Sequence, residues 1–397
     1  VLTADLSAEL DRAARGLDLP SASASGTWRP GGAPGEYASS LPFRLAQLAG
    51  QAPLDLAEAL AARLAADWIA AATVTGGGYL HVTVTPAALA GVAPRVVGAG
   101  PACARSTALA GMARTAPPLP DPAAARSWDE AVRAQARALT GRLAGAAGAT
   151  MTFQPERPTP TSHTAALGPS PVAVAVAWAG ADAVRYLLAR ARTGRAGETG
   201  WRDCVRQEIT NPYYAVSFAR ADAASVLRWA AKLDVARGGP GRGQAAGLGV
   251  ARGGPGRGQA GEPGIGGGEA DQLASHLSHP RERALLALLS WLPERVAAAA
   301  RRNRPDELPR YLEQAAAGWL DCRESCPALP FGGRDAPGDA AGMSARLWLA
   351  DAVRTVLGTG LGLLGITPPG GPAGAAGAAG EAAGPVTGLA GLCQSAG

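Results

Sequence analysis

Lysine is all but missing from this chain. Lys232 is the only one among 397 residues, so every other basic side chain is arginine. That excludes any catalytic loop needing clustered lysines at a polyphosphate. Histidine is nearly as scarce, with His81, His163, His276 and His279 the whole supply. Aromatics make up 5% of the chain, which excludes large aromatic cores and points to thin helical packing built on alanine. The five cysteines (Cys103, Cys204, Cys322, Cys326, Cys393) show no metal-ligand spacing. They read as buried thiols of a reduced compartment. No apolar run looks long enough to span a bilayer, and no charged start followed by an apolar stretch opens the chain. A cytoplasmic protein with no membrane partner is expected.

Alanine, glycine and arginine are abundant instead. Such a composition follows from GC-rich coding, so a formal net charge of +5 says little about nucleic acid by itself. The eleven-residue unit VARGGPGRGQA occurs twice, at 235–245 and 250–260. A phosphate cradle must follow a strand and open a helix. This repeat follows the end of an expected helix, and Pro240 and Pro255 stand where a cradle would offer N–H groups. It is no nucleotide site. It reads as a flexible insertion grown by duplication, with an arginine–glycine tract touching RNA as the other reading.

Periodicity places a small α/β unit first. Leu41, Leu45 and Leu48 mark one helix ended by Gly50, and Leu56, Leu60 and Leu64 mark a second that Asp55 caps. Strands follow at 72–75 and 79–85, joined by Gly76, Gly77 and Gly78. Residues 87–170 look weakly organised apart from a helix near 128–143, and the Val/Ala alternation of 172–178 reads as one strand. Beyond Asn211 the pattern is helical, with apolar stripes at 212–233, 280–292, 293–301, 306–322 and 344–364.

Two blocks resemble arginyl-tRNA synthetases. "GEYASSLPFRLAQLAG" followed by "GGGYLHVTVT" is similar to their N-terminal domain. "GADAVRYLLARAR", "NPYYAVSFARADAASVLR", "HPRERALLALLSWLP" and "DELPRYLEQAAAGWLDCRESCPAL" resemble the C-terminal portion that ends in the helical DALR domain. The fold class implied is α+β: a small N-terminal α/β domain, a poorly ordered middle region, and a C-terminal all-α DALR-type bundle. The expected boundaries are 1–86, 87–179 and 180–367, with a Gly/Arg-rich insert at 235–269 and a Gly/Ala-rich tail at 368–397.

The class I enzymes of this kind use a HIGH motif and a KMSKS loop at the ATP phosphates. Lys232 lies in a DALR-like helix, and His276 and His279 have the HIGH spacing without its glycine. The chain therefore resembles the actinobacterial synthetase-related anticodon-binding proteins, which implies tRNA as partner, no catalytic residues, no metal and no cofactor. ATP and arginine enter only under a second reading, an arginine–tRNA ligase or a part of one completed by another polypeptide. A protein-interaction module that no longer binds RNA is the third. No DNA partner is expected.

The resemblance places Tyr79 and His81 at a contact with the tRNA D-loop region. It places Tyr213, Tyr214 and Arg323 toward an anticodon loop. Arg301, Arg302 and Arg304 form a basic run without an acid inside it and read as phosphate contacts. Tyr311 and Trp319 sit at core spacing.

Overall fold

A computed structural model describes residues 2–19, 27–153, 168–191, 201–236, 267–329 and 340–367. The duplicated insert (237–266) and the tail (368–397) lie outside them. Helix α1 (Leu2–Arg15) comes first, ahead of the unit read from sequence. Strands β1 (Trp28–Pro30) and β2 (Glu36–Ser39) follow, then α2 (Leu41–Ala49) and α3 (Pro53–Arg63), then β3 (Ile69–Thr75) and β4 (Tyr79–Val84). The sheet is antiparallel in the order β1-β2-β4-β3. Its inner face, with Trp28, Tyr37, Leu80, Val82 and Val84, packs into the core. Helix α3 is not capped by Asp55: Ala52 is the capping residue and Pro53 takes the first turn. Proline fits there because its missing N–H would have had no partner.

The middle region carries more regular structure than its composition indicates. Helices α4 (Pro86–Ala90) and α5 (Val92–Ala99) run into a 3-10 turn at Gly100–Ala104. By length and composition the stretch Pro86–Ala104 does reach the range of a membrane span, a correction to the sequence reading. It is broken at Gly91 and contributes Leu89, Val92, Ala93 and Val96 to the protein core. Strand β5 (Ala113–Ala116), helix α6 (Trp128–Ala146) and strand β6 (Thr150–Phe153) form a β-α-β unit whose two strands pair in parallel. Residues 171–179 are helix α7 (Pro171–Ala179), not a strand. Ser170 caps it through the Ala173 N–H, and the buried Val172 and Ala175 are three residues apart. Alternating valine and alanine satisfied the strand period, but the Ser-Pro cap decides for helix.

Helices α8 (Ala181–Arg190), α9 (Pro212–Lys232), α10 (Gly267–His276), α11 (Pro280–Ser290), α12 (Leu292–Arg301), α13 (Glu307–Ser325) and α14 (Ala340–Leu363) complete the fold. Helix α14 is the central member, packed against α9, α13 and α5. Tyr311 and Trp319 are buried, as their spacing required. One apolar core runs without interruption from Leu2 and Leu80 in the N-terminal part to Leu312 and Leu357 in the bundle. A smaller cluster gathers Trp128, Val172, Val184 and Leu188 beneath α7. Cys103, Cys322 and Cys326 are free, buried thiols.

Candidate nucleic-acid interface

At the N-terminal end the three-glycine turn sets the geometry. Gly76, Gly77 and Gly78 all have positive φ, and a Cβ on Gly78 would lie 2.9 Å from Pro53. This turn presents Tyr79 at the sheet margin, 41% exposed, with the Phe43 ring 4.7 Å away and tilted by 57°. Leu48 and Leu54 on the neighbouring helices are exposed as well. His81 lies two residues along the same face, half-buried, between Thr73 on β3 and Ala38 on β2. Those small neighbours leave the imidazole accessible from the open side of the sheet.

At the other end, helix α9 begins with Asn211. Its side-chain oxygen accepts from the Tyr213 and Tyr214 N–H groups, and its amide donates to the Arg206 carbonyl. The two adjacent tyrosines then part. Tyr213 turns inward against Tyr186, 5.7 Å between centroids, and burial pushes its phenol up. Tyr214 faces outward and stacks on Phe218, 5.7 Å apart and 20° from parallel. Phe218 is 37% exposed and Trp229 52%, with the Lys232 ammonium 4.7 Å over the indole. Tyr214, Phe218, Trp229 and Lys232 fall on one side of the helix. Sequence reasoning passed over the last three, although their helical spacing from Tyr214 was available.

The basic residues are engaged. Arg301 pairs with Glu294 at 3.1 Å, Arg302 with Glu307 at 3.3 Å, and Arg304 holds Asp306 through two bonds of 2.8 and 2.9 Å. The run lacks an internal acid but meets acids from α12, which Arg301 ends, and from the start of α13. Burial alone would raise the Asp306 carboxyl; bonding and charge from Arg304, with the charge of Arg310, outweigh it and hold it below its ordinary range. Arg323 pairs with Asp222 at 2.5 Å, and Trp319 Nε1 donates to the same carboxylate at 2.9 Å. This joint ties α13 to α9.

His279 caps α11 in a reciprocal capping box with Glu282, which itself pairs with Arg346 at 2.7 Å. Of the histidine pair, His279 is thus a helix cap and His276 lies in the last turn of α10. Among the described residues no group of three or more His, Cys, Asp or Glu could hold a metal ion.

Two exposed aromatic sites, one on a small sheet and one on a bundle helix, therefore stand on one body. Residues 4–84 match the arginyl tRNA synthetase N terminal domain, and residues 262–370 match the DALR anticodon binding domain. The chain carries both synthetase domains. An arginine–tRNA ligase from Frankia alni is 33% identical over 190 residues, covering 48% of this chain and 28% of that one. One from Micrococcus luteus is 33% identical over 198 residues, covering 49% and 30%. This chain thus spans under a third of the length of those ligases. Among solved structures, the Thermus thermophilus arginyl-tRNA synthetase aligns over 92% of this chain and 99% of its own, at 14% identity and a TM-score of 0.42. Tyr79 and His81 lie inside the synthetase N-terminal segment. Arg301, Arg302, Arg304 and Arg323 lie inside the DALR segment, whereas Tyr213 and Tyr214 precede it.

Proposed function

We propose that this protein binds tRNA without an aminoacylation site of its own. The N-terminal domain would meet the D-loop side through Tyr79 and His81, and α9 with the DALR bundle would meet the anticodon side through Tyr214 and its neighbours. The observation that carries the reading is a DALR domain on the same chain as a synthetase N-terminal domain, with exposed rings on the latter and on α9, the helix ahead of the DALR segment. A flat ring at a protein surface suits an unstacked base, as in tRNA loops. The arginines are a second layer: in complex they would exchange an acid for a phosphate, so each contributes less to affinity than an unpaired cation.

Arginine activation needs cations at the departing pyrophosphate. This sequence has one lysine, 4.7 Å from the Trp229 ring, and of its HIGH-spaced histidines His279 caps one helix while His276 ends another. The test is arginine-dependent ATP–pyrophosphate exchange alongside binding of an arginine-accepting tRNA transcript. No exchange with submicromolar binding is the expected result. Exchange at a rate ordinary for synthetases would overturn it. The likeness to arginine–tRNA ligases supports a second reading, a ligase part completed by another polypeptide, which predicts exchange only when that partner is added.

A further inference from the structure

The two domains meet across a dry seam with a polar centre. Tyr37 on β2 is 1% exposed, and its hydroxyl lies 2.9 Å from Ser290 Oγ at the end of α11. Ser290 Oγ donates its single proton to the Ala287 carbonyl at 2.6 Å. It can therefore only accept from Tyr37, which fixes the direction of that bond. Thr3 Oγ1 on α1 donates to the Ser290 carbonyl at 3.1 Å. The Trp291 ring lies against Tyr37, 5.3 Å between centroids. At the margin, Arg95 on α5 pairs with Asp5 on α1 at 2.6 Å.

Leucine and alanine surfaces tolerate sliding; a directional bond in a dry interface admits one registry. Tyr37 also pairs in register with Val82, in the strand that begins at Tyr79. On the far side, α11 packs on α13, and α13 is tied to α9 by the Asp222 joint. A path of fixed contacts thus joins the Tyr79 ring to the Tyr214–Phe218 stack.

We propose that Tyr37 and Ser290 are positioning residues for tRNA: their hydrogen bond sets the placement of the N-terminal ring relative to the α9 stack. The inference rests on the tRNA-binding reading above.

Y37F and S290A, each keeping the shape of the seam, test it in the full chain, with T3V as a third variant should either fail to fold. The probes are an arginine-accepting tRNA transcript and its isolated anticodon stem-loop. Each variant should bind the intact tRNA about three- to tenfold more weakly, the size of one hydrogen bond, and the stem-loop as wild type does. The Y37F/S290A double variant should be no worse than S290A alone, because the bond that Y37F removes is already absent there. Equal losses on both probes, or no loss on either while wild type binds both, overturns the positioning role. Wild type binding neither probe overturns the tRNA reading instead, and wild type binding the stem-loop as tightly as the tRNA overturns its two-ended form.

Discussion

Tyr79 owes its exposure to a turn that only glycine can make, and Phe43 holds the ring from behind. Replacing Tyr79 with alanine should cost about 1–3 kcal/mol of tRNA affinity. That loss should not vary with salt, since no charge is removed; a salt titration of wild type and variant checks it. Arg302 and Arg304 make a contrasting pair. Arg304→Ala strips two bonds from Asp306, a carboxylate almost wholly enclosed, and should lower the thermal midpoint clearly. Arg302→Ala removes an exposed pair and should leave it nearly unchanged. The Asp306 carboxyl is held low in the folded state, so its contribution is present above the ordinary carboxylate range and is lost as pH falls through the folded value. The gap between wild type and Arg304→Ala should accordingly narrow on acidification, as thermal melts at pH 7 and pH 3 would show. Tyr213 and Tyr214 mark how far single residues could be read. Adjacent on a helix, they differ by about 100° in direction, and only the packing of Tyr186 determines which one turns inward.

The long helices of the bundle announced themselves. Helices α2, α3, α9 and α11–α14 follow apolar stripes visible in the sequence, although α3 is capped at Ala52 rather than at Asp55. Where the chain is built of valine and alanine the signal weakens, because small residues satisfy the strand and the helix period alike, as at 171–179. The parallel pairing of β5 with β6 carries no local mark: four residues with little apolar character become a strand only when α6 brings the second one alongside. At the bundle centre, Gly360 on α14 faces Leu312 on α13, and a Cβ there would fall inside contact distance of the buried leucine. Gly360→Ala should therefore destabilise by about 1–3 kcal/mol, although alanine is the better helix former. Chemical denaturation would measure it, and a stabilised variant would show that Leu312 can move aside.

At the scale of the molecule, the docking of the two domains was not legible at all. Thr3 and Ser290 stand 287 residues apart, and no periodicity or motif links them. The seam should be sensitive to alkali. Burial pushes the Tyr37 phenol up to about 12, with the Arg95 charge pulling the other way. Cys322 is likewise pushed up to about 12, by burial first and then by Cys326 and Glu282. Both groups hold their protons more tightly when folded, so their contribution is complete below the unfolded values of 10.0 and 9.0 and fades as pH rises toward 12. Stability should begin to fall near pH 9, and Y37F should flatten the decline above pH 10. A denaturant series across that range reads both. A shared core also predicts one calorimetric transition rather than two.

The same separation bears on how the chain is made. Leu2, Leu6 and Leu10 of α1 reach their burial beside the Ser290–Trp291 corner, and Thr3 bonds that corner directly. At ordinary elongation rates a span of 287 residues takes roughly 15–60 s to emerge from the ribosome. Throughout that interval α1 can pair only with nearer elements such as α3 and Trp28, and the face it turns to Ser290 stays uncovered. The face of α1 that ends against the Ser290–Trp291 corner is thus a surface on which a holding chaperone could act until α11 arrives to cover it.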